Sequence, residues 1–312
     1  IQKDLDDGID TIGKKMTVCQ LYAKQIRHRG NVRYNTKNGR KRLMKLLEED
    51  KLGGCPIDSV KLSDAKEWAI RMKEKGISYK TISNDKRSLK AAFYTAIQDD
   101  CIRKNPFDFQ LNTVIEDDTE PKVPLTPAQE ESFLSFAQND KVYQKYYDEL
   151  IILLGTGLRI SELCGLTDTD IDFENRIINV DHQLLRSAET GYYIETPKTK
   201  SGIRQIPMSE KVYEAFNRVL KRRRGAKAVT IDGYSNFLFL NRDGYPKTAT
   251  NYDGMFRGLA KKYNKYHEEA LPKVMTPHTL RHTFCTNMAN AGMNPKALQY
   301  IMGHSNITMT LN

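Results

Sequence analysis

Residues 275–304, MTPHTLRHTFCTNMANAGMNPKALQYIMGH, gather side chains able to hold an anion. Thr276 is a good N-cap and Pro277 suits the first helical position, so a helix is predicted from there through Leu280, Phe284 and Met288. His278 and Arg281 stand three residues apart in that helix and share a face. The free backbone N–H groups of its first turn favour negative charge, so imidazole, guanidinium and helix end could converge on one phosphate. Gly292 closes the helix. Asn294 and Pro295 open another, with Ala297, Leu298, Ile301 and Met302 as its apolar side, and Gly303 ends it so that His304 falls on the turn. Alone, the pattern also fits a blander arrangement, in which His278 and Arg281 merely cap a helix and His304 lies on the surface.

Further positions could join such chemistry. Arg159, in GTGLRISELCGL, follows a glycine bend and sits among Leu158, Ile160 and Leu163 at a predicted helix start. An ion pair with Glu162 is the competing explanation, although the apolar and glycine neighbours make an awkward place for a mere surface pair. Pro197 to Gly202, PKTKSG, reads as a hairpin tip carrying Lys198 and Lys200. Hairpin lysines usually serve solubility, but a long stem on a mobile turn could also deliver a proton.

The elements that must position these residues fill the second half of the chain. Leu125-Thr126-Pro127 starts a helix in the same Thr-Pro manner, and another runs from Tyr146 to Leu154 up to Gly155-Thr156-Gly157. Strand signals at Ile171–Phe173, Arg176–Asp181, Tyr192–Thr196 and Arg204–Pro207 predict one small antiparallel sheet, its last two strands joined by the lysine hairpin. Helices resume at Ser209–Arg224 and Asn251–Tyr266. The predicted class is mainly α with a small antiparallel β-sheet.

Before these elements, residues 1–16 read as a polar lead-in and 17–110 as a bundle of four or five helices without strands. Val18, Leu21, Tyr22 and Ile26 mark one helix, Leu43, Leu46 and Leu47 a second, and Ala65, Trp68, Ala69 and Met72 a third capped by Ser63. Ile82, Leu89, Ala92, Phe93 and Ile97 mark a fourth, from about Ser78 to Asp99. Exposed charge concentrates at Lys37, Arg40, Lys41, Arg42 and Lys45, and again at Lys80, Lys86, Arg87 and Lys90, where only Asp85 intervenes. Most such faces are simply solvated, but Tyr79, Ser83 and Asn84 add hydrogen-bonding groups, as a groove-reading helix would. Residues 111–124, acidic, proline-punctuated and aperiodic, read as a linker between this domain and a second one at 125–312.

Composition narrows the partners. Forty-nine Lys+Arg against 39 Asp+Glu give a net charge of +10, which favours a polyanion. The longest strongly apolar run, Leu150–Leu154, is far short of a membrane span. Five scattered cysteines, Cys19, Cys55, Cys101, Cys164 and Cys285, include no Cys-x-x-Cys pair, so reduced thiols and a cytoplasmic location are expected.

Taken jointly, GLRISELCGL with Asp170-Ile171-Asp172, then PKTKSGIRQIPM, then PHTLRHTFCTNM followed by LQYIMGHSNITMTLN, resemble the active-site motifs of the tyrosine recombinases, the phage-type integrases. The wording is most similar to integrases of conjugative transposons. The resemblance implies a helical core-binding domain at 17–110 and an α+β catalytic domain at 125–312. It implies DNA integration and excision by strand exchange through a phosphotyrosyl link, with no metal or other cofactor. Arg159 and Arg281 would hold the scissile phosphate, His278 and His304 would add hydrogen bonds and proton transfer, and Lys198 or Lys200 would protonate the leaving hydroxyl. Lys37, Arg40, Lys41, Arg42, Lys80, Lys86, Arg87 and Lys90 would meet DNA. The partners implied are duplex core-site DNA, a homodimer or homotetramer assembled on it, and an accessory excision factor.

One departure stands out. The resemblance places a nucleophilic tyrosine shortly after the second histidine, and residues 305–312 contain none. A polypeptide of these residues is therefore expected to bind DNA without cleaving it. The alternatives are a non-catalytic architectural or regulatory DNA-binding protein on the same scaffold, and a type IB topoisomerase.

Overall fold

In the first unit two helices begin where a hydroxyl side chain, Thr17 or Ser78, accepts an otherwise unpaired first-turn N–H group. The computed structural model describes residues 13–30, 32–121, 123–197, 199–223 and 229–311. They fall into two compact units, divided at Pro121 and Lys122. Thr17 caps α1 (Val18–His28) through a reciprocal bond with Gln20. Helices α2 (Tyr34–Glu48), α3 (Leu62–Glu74) and α4 (Tyr79–Gln98) follow, α4 capped by Ser78. Ser63 is not the cap of α3. The cap is Lys61, two residues earlier, with Asp64 accepting the Lys61 N–H at 2.8 Å, because a carboxylate three residues in can close that turn. Trp68, Phe93 and Phe107 sit fully inside this unit, with the Trp68 and Phe107 rings edge-on at 5.8 Å.

The predicted linker begins later than its polar composition suggests. Leu111 and Ile115 are buried in the first core, and Asp118 pairs with Lys73 at 2.5 Å. Sparse apolar residues suffice to fix an aperiodic segment when each one finds the core.

The second unit holds α5 (Pro127–Asn139), α6 (Tyr147–Thr156), α7 (Ile160–Gly165), α8 (Glu210–Arg223), α9 (Ala249–Tyr266), α10 (Pro277–Asn290), α11 (Pro295–Met302) and α12 (Thr308–Leu311). Its strands are β1 (Ile171–Asp172), β2 (Ile177–Val180), β3 (Gln183–Ser187), β4 (Gly191–Glu195) and β5 (Arg204–Pro207). They form two sheets, antiparallel β1-β2-β5 and the ribbon β3-β4. The expected single sheet and lysine hairpin are thus corrected. β4 pairs with β3, a strand the sequence reading passed over, and β5 pairs with β2. β4 and β5 thus lie in different sheets rather than in one hairpin, and a 3-10 turn at Lys200–Gly202 leads into β5. Gln183–Ser187 was missed because its two adjacent leucines and flanking polar residues break the alternation that marks a half-buried strand. Among the described residues no helix is long and apolar enough to cross a membrane.

Candidate active site

Close backbone approach brings the site together. α6 ends at Gly157 with φ 63°, where a Cβ would lie 2.4 Å from the Phe284 ring, so only glycine lets this turn touch α10. Arg159 follows as the N-cap of α7. Glu162, three residues on, accepts the Arg159 backbone N–H at 2.8 Å and its Nη1 at 2.7 Å. The predicted ion pair therefore exists, and Arg159 does more besides: Nη2 donates to the Gly303 carbonyl at 2.9 Å, while the side chain stays 36% exposed.

The end of α11 collects three arginines. Arg204 Nε donates to the Ile301 carbonyl at 2.6 Å, Arg281 Nη2 to the Met302 carbonyl, and Arg159 Nη2 to the Gly303 carbonyl. The last carbonyls of a helix lack intrahelical partners and carry its negative end, so three consecutive ones make a natural seat for cations. Gly303, at φ 61°, makes the turn possible, since a Cβ there would stand 3.1 Å from both Arg204 Nη1 and the Ser201 carbonyl.

Charge does not balance here. Arg281 is buried, and Nη1 reaches the Gly157 carbonyl, but no carboxylate bonds to it among the described residues. Burial first, then the Arg159 charge, pulls it down to about 9, which leaves it protonated at neutral pH. His304 is 8% exposed rather than on the surface, with Nδ1 3.0 Å from Thr310 Oγ1. Burial and the charges of Arg281, Arg159 and Arg204 lower it to about 4, so its ring is neutral near pH 7. Burial alone would raise Glu162, yet the Arg204 hydrogen bonds and the Arg204 and Arg159 charges outweigh it and hold the carboxyl at about 2. An anion arriving among these groups would neutralise positive charge that one carboxylate leaves over.

The remaining predicted residues are placed as follows. His278 is exposed in the first turn of α10 and meets the His282 ring edge-on at 4.6 Å. Lys198 lies outside the described residues, and Lys200 is exposed on its 3-10 turn. That turn abuts the site, since the Gly202 carbonyl accepts from Arg204 Nη1 at 3.1 Å. Arg204 itself was overlooked. In β5 it shares a face with the buried Ile206, so period-two alternation already pointed it inward.

In the first unit Lys37, Lys41, Arg42, Lys80 and Arg87 are exposed. Several cations of this face have partners within the unit, so its charge is less open than the sequence suggested. Arg40 donates to the Arg29 carbonyl at 3.1 Å, and Arg42 pairs with the buried Asp85 at 2.5 Å. Lys90 pairs with Asp108 at 2.5 Å, and Lys86 reaches the Phe109 carbonyl while covering its ring.

This geometry has relatives. Residues 124–312 match the phage integrase family. The transposase from transposon Tn916 of Enterococcus faecalis is 68% identical over all 312 residues, which span 77% of that protein. The tyrosine recombinase XerC of Bacillus pumilus is 26% identical over 81% of this chain and 76% of its own length. Among solved structures, the Tn1549 transposon integrase in complex with a circular intermediate DNA is 78% identical, with a TM-score of 0.92 over 95% of this chain and 94% of that one. A lambda integrase dimer bound to a COC′ core site, 16% identical with a TM-score of 0.63, shares the fold. The chain accordingly belongs to the phage integrase family and is a tyrosine-type site-specific DNA recombinase, an enzyme that breaks and rejoins DNA strands.

Proposed function

We propose that this protein is the integrase of a conjugative transposon, integrating and excising its element at specific duplex core sites. The observation that carries the reading is the seating of Arg159 and Arg281, with Arg204, on three consecutive helix-end carbonyls beside a single carboxylate. Arg159 and Arg281 hold the scissile phosphate and stabilise the added negative charge of its pentacoordinate transition state. A neutral His304 offers a hydrogen bond without adding a further cation, and His278 contributes from the first turn of α10. A tyrosine hydroxyl attacks phosphorus and gives its proton to His278 or His304, the P–O bond to the departing DNA oxygen breaks, and that oxygen takes a proton from Lys198 or Lys200. The phosphotyrosyl link keeps the bond energy needed to rejoin, so the reaction calls for neither a metal nor a nucleotide.

Residues 17–110, with the segment through Asp118 that packs on them, serve as the core-binding domain and 125–312 as the catalytic domain. The Lys37 to Arg42 and Lys80 to Lys90 faces meet DNA, and two to four copies assemble on paired sites, with an excision factor as accessory. No tyrosine occurs in residues 305–312. Tyr300 is a poor substitute, because its hydroxyl is fastened to the Gln205 N–H at 3.1 Å. A polypeptide of residues 1–312 therefore binds core-site duplex and forms no covalent complex. Denaturing electrophoresis after incubation with a nicked suicide duplex tests this. An adduct formed by residues 1–312 would refute the nucleophile placement, and cleavage by a full-length Arg281→Ala variant at the parent rate would refute the phosphate site.

A further inference from the structure

We infer that Arg204 is a positioning residue that keeps the Arg159 guanidinium open to an anion. The inference rests on the phosphate-holding role proposed for Arg159. Arg204 has no exposed side-chain surface, and its Nη1 and Nη2 lie 3.0 and 2.8 Å from the two oxygens of Glu162, fork against fork. Glu162 Oε1 also accepts from Arg159 Nη1, and Oε2 from the Arg159 backbone N–H. Two donors on each oxygen fill the acceptor sites of the carboxylate.

The consequence falls on Arg159. With the bidentate position taken, it obtains one side-chain bond from Glu162, turns its other terminal nitrogen to the Gly303 carbonyl, and keeps a partly exposed edge. Remove the Arg204 fork, and the carboxylate can take Arg159 in both of its positions. That would draw the guanidinium down against α7 and away from an incoming phosphate. Arg204 also ties the Lys200–Gly202 turn to the same carboxylate through the Gly202 carbonyl, and α11 through the Ile301 carbonyl. One buried side chain thus sets the mutual placement of three parts of the site.

The test is single-turnover cleavage of a nicked suicide duplex by the full-length recombinase, with Arg204→Met, Arg159→Ala and the double variant. Arg204→Met is expected to slow cleavage by about 100-fold, a loss typical of a misplaced catalytic contact, with the DNA concentration for half-saturation unchanged. In the Arg159→Ala background the same change should add less than about 3-fold, because both act through one contact. A methylphosphonate at the scissile position carries one charge fewer, and should shrink the Arg204→Met and Arg159→Ala defects together. Equal losses from Arg204→Met in both backgrounds, or a defect indifferent to the methylphosphonate, would overturn the inference in favour of a purely structural arginine. Should Arg204→Met not fold, Arg204→Lys keeps the charge and loses the fork, and must show the same non-additivity. Arg159→Ala cleaving at the parent rate would instead bring down the phosphate reading, and this inference with it, whatever Arg204 does.

Discussion

Each unit buries a carboxylate that grips arginine, and the two differ in their arithmetic. In the first, Asp50 accepts Arg71 Nε at 2.9 Å, Arg71 Nη2 at 2.7 Å and the Leu52 N–H at 2.9 Å. One acid meets one base. Burial alone would raise this carboxyl, but the Arg71 hydrogen bonds hold it below its ordinary range. In the second, Glu162 serves Arg159 and Arg204 while Arg281 rests on carbonyls alone. A balanced buried pair fixes two elements and leaves no net charge over, whereas an excess of buried positive charge is tolerable only where helix-end dipoles hold it or an anion arrives.

The contrast can be broken from either side. Asp50→Asn strands Arg71 without its counter-charge and should cost about 3–5 kcal/mol of unfolding free energy, with no change in affinity per phosphate. Chemical denaturation and DNA titration on the same variant check both halves. Comparable stability of Asp50→Asn and parent would deny that the pair is structural.

Arg159→Ala and Arg281→Ala should behave in the opposite sense in a full-length chain. Each is expected to lose about 2.7–4 kcal/mol of transition-state stabilisation, by analogy with a missing oxyanion donor, while unfolding cooperatively and binding DNA. Suicide-substrate kinetics alongside calorimetry separate the two effects. An unfolded Arg159→Ala would show that its pairing with Glu162 matters for structure first.

The pH response sharpens the comparison further. His304 is depressed to about 4 from an ordinary 6.5, so the unfolded chain takes up its proton first. Stability is then fully present above the unfolded value and is lost as pH falls through the window from about 6.5 to about 4. Glu162, held at about 2 against 4.5, extends the loss below that window. Melting temperature against pH should show the first decline in the parent and not in His304→Asn. Bound DNA, by bringing negative charge to the site, should move the His304 ring titration upward in NMR spectra. An unmoved titration would place the phosphate elsewhere.

The smallest effect belongs to the basic face of α4. Lys90 and Lys86 have intramolecular partners and Arg87 only a 3.4 Å contact with Asn84, so Arg87→Ala should lower the salt-dependence slope by about one unit. Lys86→Ala and Lys90→Ala should lower it less. A slope identical in all three variants and the parent would take DNA off this face.

Much of this was legible in the residues themselves. Helix starts at Thr17, Ser78, Thr126, Thr276 and Asn294 are where local hydrogen bonding puts them, because a cap needs only residues within one turn. His278, Arg281 and the turn bearing His304 could likewise be assigned to their helices from spacing alone. Strand pairing could not. Which strand joins β5 depends on contacts more than twenty residues apart, so the overlooked β3 redirected β4 and left it in a different sheet from β5. Tertiary structure alone decided that Glu162 is shared, that three arginines seat on the carbonyls of Ile301, Met302 and Gly303, and that His304 is buried and neutral. The physical reason is range: caps and turns are settled among neighbours in sequence, while the charge balance of a buried site depends on groups that meet only once the chain has folded.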